Sequence, residues 1–451
     1  MTSGTTTHLK RSLGFTGILA QSLAGMAPTI TPTVNVGIIV LAAGSGTWLT
    51  YVVATVAALI IAHNLNVFSR TTASAGALGD YVGLGLGKRG QLITAWALLL
   101  AYVTTAMGLI TACVTYLDSL CQRLQLGIHP GLLAMGVSSL ASVFVLREIR
   151  LSTRIMLILE ALSVLLVLVF CVLILFHDGL RDDLSQLTLR GVTTDGFNQG
   201  LIIAMLSFAG FEAATTLGEE AERPLTTIPK TLVATPIFAG IFFVFSAYVL
   251  VLGFHSFDVD LAKSVAPLET LATAMGRDGL GFLIGIGATA SLFGCTLATM
   301  VGASRLIFAM SRLGQLPQFF SMTARPSSQP RRATLITCIP VSMVGVLSIL
   351  AFKPSLDLFA WFGTCGTFGF LIAYGLTCMA APVFLHQVQR LRPQELALGA
   401  LGFLVTGYIL IGSVIPFPPY PMNLAPVAFF IAIILGVGYS LHRETKRSWP
   451  G

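Results

Sequence analysis

The sequence predicts an all-α polytopic membrane protein with twelve transmembrane helices, of which helices 1 and 6 are broken. Three observations predict it. The 451-residue chain is 55% hydrophobic and only 10% charged, where a soluble domain carries about 25% charge. Its apolar residues fall in runs of about 20, the length that spans a bilayer's hydrocarbon core. Two of those runs hold residues that helices handle badly at mid-membrane depth: Pro28 in the first, and Gly210 with Glu212 in the sixth.

The runs lie at 14–43, 47–68, 91–119, 130–147, 153–176, 197–217, 230–254, 279–311, 333–352, 356–385, 396–415 and 424–441. The first follows a short basic-polar tail and is too long for the apolar region of a cleavable signal. An N-terminus placed inside puts 20 of the 26 Lys and Arg residues on the cytoplasmic side and leaves 6 outside. That bias predicts both termini cytoplasmic, in a multi-pass protein of the plasma membrane. It also explains the net charge of +7 without a nucleic-acid partner, because the cations sit in short loops between apolar runs. The seven cysteines are scattered, with neither metal-ligand spacing nor a disulfide framework. No cofactor and no metal site is expected. Gly83, Gly85, Gly87 and Gly90 follow a small-residue-rich stretch from Arg70 to Val82, read as re-entrant or interfacial. No strand precedes them, so a phosphate loop is excluded and a packing or gating role fits better.

In the first span, Pro28 removes a backbone donor and clashes with the preceding turn, so the helix is expected to break near Ala24–Pro28. In the sixth, Gly210 costs roughly 1 kcal/mol of helix stability relative to Ala. Glu212 two residues on is a lone carboxylate that would cost about 2.5 to 3.5 kcal/mol if ionised there. Interrupted helices free backbone groups that a polar substrate can satisfy. Two such helices five spans apart point to an inverted repeat. The expected organisation is a cytoplasmic tail (1–12), a first repeat of spans one to five (13–195) and a second of spans six to ten (196–385). Spans eleven and twelve (386–441) and a cytoplasmic tail (442–451) complete it.

The run Ser207-Phe208-Ala209-Gly210-Phe211-Glu212, with Gly218-Glu219-Glu220-Ala221-Glu222-Arg223-Pro224 and Ile228-Pro229-Lys230 after it, resembles the sixth-span signature of the amino acid–polyamine–organocation (APC) superfamily. Ile149–Ser152 and the stretch from Cys295 to Pro317 add matches, and the similarity covers nearly the whole chain. The resemblance implies a leucine-transporter-like 5+5 inverted repeat with two extra helices. It also implies transport of amino acids or related amines.

Roles follow position by position. The first-span break, Ala24, Gly25, Met26 and Ala27, matches the run whose backbone amides hold the substrate carboxylate in the family. The bulky Met26 is a departure from the small residues usual there. The sixth-span break offers the carbonyls of Ser207, Phe208 and Ala209 and the flexible Gly210, with Phe208 as an aromatic lid over an ammonium. Glu212 matches a gating and proton-sensing position. Arg154 lies near where sodium sits in sodium-coupled relatives, and a fixed guanidinium there disfavours sodium. Glu160 is a second intramembrane carboxylate and coupling candidate, at a spacing that does not pair with Arg154 along a helix. Tyr102, Ser291 and Cys295 complete the candidate pocket, as small polar or aromatic groups in spans three and eight.

The reading is a secondary active transporter for an amino acid or related amine, working by alternating access with proton coupling or exchange. Its partners are a small amine-bearing solute and the lipid bilayer. An exporter of polyamines, organocations or amine drugs on the same fold is the alternative. A membrane enzyme lacks a catalytic constellation, having no His-Glu-x-x-His, paired Asp motif or Ser/Lys dyad. A non-transporting sensor would be expected to bring an extra soluble domain, and a channel leaves the paired breaks unexplained.

Overall fold

The computed structural model describes residues 13–72, 77–147, 149–178, 184–218, 221–259, 261, 264, 266–322, 330–352, 356–415, 417 and 420–447. Among the described residues the structure is helical, and the one extended pairing is a bridge between Leu13 and Ala221. Among the described residues ten segments are long and apolar enough to cross a membrane, with Phe15–Ser69 counted as one, and Pro130–Leu146 is a shorter apolar helix.

Helix α1 (Phe15–Met26) stops at Ala27, and the chain resumes through a π-helical turn, Thr31–Asn35, into α2 (Val36–Ala43) and then α3 (Thr47–Ser69). Helix α4 (Ala77–Arg123) contains one non-helical residue, Gly87 at φ 71°. It separates a short lead from a long core helix, at the glycine-rich stretch whose sequence suggests packing or gating. Next come α5 (Pro130–Leu146), α6 (Ile149–Asp178) and the single turn α7 (Leu184–Leu187). Helix α8 (Thr194–Phe208) ends at Ala209 and is followed by a 3-10 stretch, Phe211–Leu217. The remainder is α9 (Pro224–Ser256), α10 (Pro267–Ala274), α11 (Asp278–Arg312), α12 (Arg331–Phe352), α13 (Leu356–Gln387), α14 (Pro393–Gly412) and α15 (Leu424–Arg447).

Burial separates scaffold from periphery. The most apolar stretch of α4 is 72% buried, that of α14 only 22%, so α14 turns most of its Leu and Phe side chains outward as a lipid-facing helix does. The cores of α4 and α13 touch closely because glycines allow it. A Cβ on Gly369 would overlap the carbonyl of Ala97, and one on Gly366 the hydroxyl of Thr105. Small residues at helix contacts are the membrane solution, since apolar burial alone does not drive helices together in lipid.

Outside the spans, α10 is seated by an unusual carboxyl. Glu269 is buried, and its Oε1 has no hydrogen-bond partner among the described residues. Its Oε2 lies 3.7 Å from the Arg123 guanidinium, which also donates to Thr273 Oγ1 at 3.0 Å. Burial pushes the Glu269 carboxyl up to about 7, with Arg123 opposing the rise. A carboxyl raised in the folded chain binds its proton more tightly there than in the unfolded chain. Its stabilisation is therefore fully present below about pH 4 and lost as pH rises through about 7. Between pH 6 and 8 the thermal midpoint of the detergent-purified protein should fall by a few degrees, and Glu269→Gln should flatten that slope. An identical slope in the variant would exclude Glu269 as its source.

Candidate functional site

The two interruptions meet. Ala27 sits at φ 44°, with its N–H on Leu23 O at 3.0 Å, a left-handed helix stop carried here by a non-glycine residue. Gly210 sits at φ 102°, a region that costs a side-chain-bearing residue roughly 1 to 2 kcal/mol. A Cβ at Gly210 would lie 2.6 Å from Gly25 O and 3.2 Å from Met26 N. Glycine is thus required twice over at this position, for its dihedral and for its neighbour. Ser22 Oγ donates to Phe211 O at 2.7 Å, and Cys295 Sγ to Gly25 O at 3.3 Å. Carbonyls released by the breaks are therefore taken up across helices.

Beside this contact is a cavity of about 50 Å³. Gly25 and Met26 of the first break line it, as do Ser207, Ala209 and Gly210 of the second. Tyr102 and Thr105 of α4, Cys295 and Thr299 of α11, Asn35, and the apolar Leu109, Leu206, Phe359 and Phe370 close it. Two of its polar atoms are buried and without a partner among the described residues, Asn35 Oδ1 and Thr105 Oγ1. The amide of Asn35 donates to Ser207 Oγ at 2.8 Å, which fixes its orientation and leaves its oxygen uncommitted. An unpaired buried polar group costs about 1 to 3 kcal/mol, so two of them beside one cavity are open to a hydrogen bond from whatever enters it, water or solute.

Glu212 is not the unpartnered carboxylate that the sequence suggested. It is fully buried and accepts from Tyr102 Oη at 3.0 Å, Tyr374 Oη at 2.6 Å and Gly210 N at 3.0 Å. It joins the 3-10 stretch to α4 and α13 and caps the backbone immediately after the break. It stands behind Tyr102 and does not itself line the cavity.

Glu160 does comparable work for the first break. Its Oε1 accepts from both the backbone N of Thr29, at 3.0 Å, and Thr29 Oγ1, at 2.9 Å, while Ser291 Oγ donates to Oε2. A carboxylate from α6 thus caps the restarting helix at its positive end, where an acceptor is favourable. Ser291 is spent on this cap and is absent from the cavity wall.

Of the sequence-derived candidates, Gly25, Met26, Tyr102, Ser207, Ala209, Gly210 and Cys295 line the cavity, and Ala24, Ala27, Phe208 and Ser291 do not. Phe208 packs edge-on against Phe243 of α9, ring centroids 5.2 Å apart, so aromatic walls come from Tyr102, Phe359 and Phe370 instead. The side chain of Arg154, like residues Glu219 and Glu220, lies outside the described residues. Sequence reasoning passed over Asn35 and Thr105. An amide at bilayer depth in span one was the available signal for the first. Thr105 carried none, since membrane hydroxyls commonly bond their own helix.

A model of the amino acid permease family matches residues 17–449. The chain belongs to that family, within the APC superfamily. It is 25% identical over 412 residues to human cationic amino acid transporter 4, covering 86% of this chain but 61% of that protein. The chain therefore spans about three-fifths of that relative's length. It is 25% identical over 352 residues to a branched-chain amino acid permease of Bacillus subtilis (strain 168), covering 72% of each. To a low-affinity putrescine importer of Escherichia coli (strain K12) it is 22% identical, covering 76% of this chain and 75% of the other. In three dimensions it is similar to a Na+-coupled sialic acid symporter solved in a substrate-bound outward-open state. The TM-score is 0.57 at 14% identity, over 91% of this chain and 89% of that one, so what the two share is the fold alone.

Two outcomes follow from the geometry. Gly210→Ala should destabilise the protein by about 1 to 3 kcal/mol, read as a lowered unfolding midpoint; an unchanged midpoint would refute the close approach. Glu212→Leu, which leaves two tyrosine hydroxyls and an amide unpaired at about 1 to 3 kcal/mol each, should be far more damaging than Glu212→Gln. Equal midpoints for the two variants would show that Glu212 does not hold those donors.

Proposed function

We propose that the chain is a twelve-span secondary transporter that moves a small amine-bearing solute, an amino acid above all, across the plasma membrane by alternating access. In this reading both termini are cytoplasmic. The interrupted first and sixth spans are the pivots of an inverted repeat, with α14 and α15 outside it. The single observation that carries the proposal is the cavity at the Gly25–Gly210 contact. It is bounded by backbone from both interruptions and by two polar groups uncommitted among the described residues, the Asn35 amide oxygen and the Thr105 hydroxyl, both able to accept. Acceptors that need donors match a substrate ammonium, and backbone beside broken helices is how this fold class meets substrate charge. At about 50 Å³ the cavity is well under the roughly 300 Å³ of an ordinary ligand site. Binding an amino acid therefore goes with separation of the surrounding helices.

The lining also narrows the substrate. Among its described residues there is no carboxylate, and Leu109, Leu206, Phe359 and Phe370 form the wall. A second cationic group, as in a cationic amino acid or a diamine, would be buried without a counter-charge, at a cost of several kcal/mol. This favours a neutral, apolar side chain, the class named for the B. subtilis relative, over cationic or polyamine substrates. For coupling we favour a proton or a counter-substrate over sodium. The oxygens clustered at the first break are committed to one another, with Thr29 and Ser291 both donating into Glu160.

The test is uptake by the purified full chain in liposomes, under a proton gradient, a sodium gradient or internal counter-substrate. A neutral apolar amino acid should accumulate under the first or third condition and be displaced better by its analogues than by lysine or putrescine. Strict sodium dependence, or preference for putrescine, would refute the coupling or the substrate class respectively. Asn35→Leu should raise KM by roughly tenfold, the loss of about 1.4 kcal/mol of binding, with less effect on kcat.

A further inference from the structure

A second cavity, about 540 Å³, opens where the end of α3, the end of α13 and the start of α14 come together. It shares no residue with the central one. One part of its wall is apolar, with Val67, Phe384, Leu385 and Val388, and the other is charged, with His63, Arg70, Arg390 and Glu395. Its carboxylate is already engaged, because Glu395 Oε2 lies 2.7 Å from His63 Nε2. Arg70 and Arg390 are exposed, and neither has an ion-pair partner among the described residues. Two guanidiniums thus border a half-apolar cleft with no negative charge assigned to them.

We propose that this cleft is a binding site for a phosphate-bearing anion, held by Arg70 and Arg390. Guanidinium forks match phosphate oxygens in a way ammonium groups do not. Placement adds to the case. Arg70 directly follows the last residue of α3, and Arg390 lies in the turn between α13 and α14. These are helix ends, the depth at which lipid phosphates lie, and basic pockets between spans are recognised places for acidic headgroups. The neighbouring α14 turns Leu396, Leu401 and Leu404 outward, so a lipid reaches the cleft from the bilayer while its chains follow Phe384 and Val388. The same guanidiniums would take a free organic phosphate from water. The proposal does not depend on the transport reading.

The experiment is native mass spectrometry on the detergent-purified full chain, titrated with phosphatidylglycerol, phosphatidylcholine and glycerol 3-phosphate. For a lipid site, phosphatidylglycerol should bind roughly tenfold more tightly than phosphatidylcholine, and the Arg70→Gln/Arg390→Gln double variant should erase that preference. For a soluble phosphate, glycerol 3-phosphate should bind and lose its affinity in the same variant. The Arg70→Lys/Arg390→Lys variant keeps the charge but not the forks, so it should retain folding and an intermediate affinity. Both arginines are exposed, and an unfolding midpoint equal to wild type in neutral detergent confirms that each variant is intact. Anion binding of equal strength in wild type and the Gln double variant, or no preference for any anionic ligand, would overturn the proposal.

Discussion

The centre of this structure depends on backbone meeting backbone. Gly25 and Gly210 approach so closely that no side chain fits on Gly210; Gly25 lies in the last turn of α1, and Gly210 just past the end of α8. In a medium without water, freed amides and carbonyls must be satisfied by protein or by ligand. Ser22 serves Phe211 O, Cys295 serves Gly25 O, and the carboxylates of Glu212 and Glu160 serve Gly210 N and Thr29 N. Four bonds, each crossing from a break or closing over one, let two interruptions persist side by side. The glycine-rich packing of α4 against α13 then holds Tyr102 and Tyr374 where Glu212 requires them.

The two intramembrane carboxylates explain each other. Each sits at a point where a helix has been opened, and each accepts three hydrogen bonds from other groups. Burying a carboxyl group is expensive in isolation but tolerable when its oxygens are fully engaged. Here they substitute for the capping residues that soluble helices take from their own sequence. The cavity wall is thereby left without a carboxylate among the described residues. Its polar surface consists of backbone, one amide, hydroxyls and a thiol, with aromatic and aliphatic surface filling the remainder.

The sequence made the interruptions visible because Gly and Pro act locally. Pro28 and Gly210 disturb a helix whatever surrounds them, and the chain leaves α1 at Ala27 and α8 at Ala209, within a residue of each. The family was legible for the same reason, as a run of residues contiguous in sequence. Partnerships were not legible. That Glu212 would find Tyr374, 162 residues away, or Glu160 find Thr29, 131 away, is set by helix packing that leaves no trace in local periodicity. Side-chain direction was equally hidden. Phe208 adjoins Ser207 in sequence, yet one packs on Phe243 and the other lines the cavity, because successive helical residues point about 100° apart.

Asn35 Oδ1 and Thr105 Oγ1 are buried without a protein partner among the described residues, and a packed state that left them so would lie higher by an amount comparable to a lost hydrogen bond each. A ligand that supplies donors to both removes that cost, so it favours conformations able to admit it over those that are not. The shift it can produce is bounded by this difference alone. About 1 to 3 kcal/mol from each group, or about 2 to 6 kcal/mol if both act independently, gives a factor of roughly 30 to 30,000 between the two states. That is enough to couple occupancy to helix separation, and it needs no charged side chain in the wall. In the proposed transport reading, the neutral wall and the switch share one origin: the carboxylates are spent on the helix breaks, and an amide oxygen and a hydroxyl are left uncommitted.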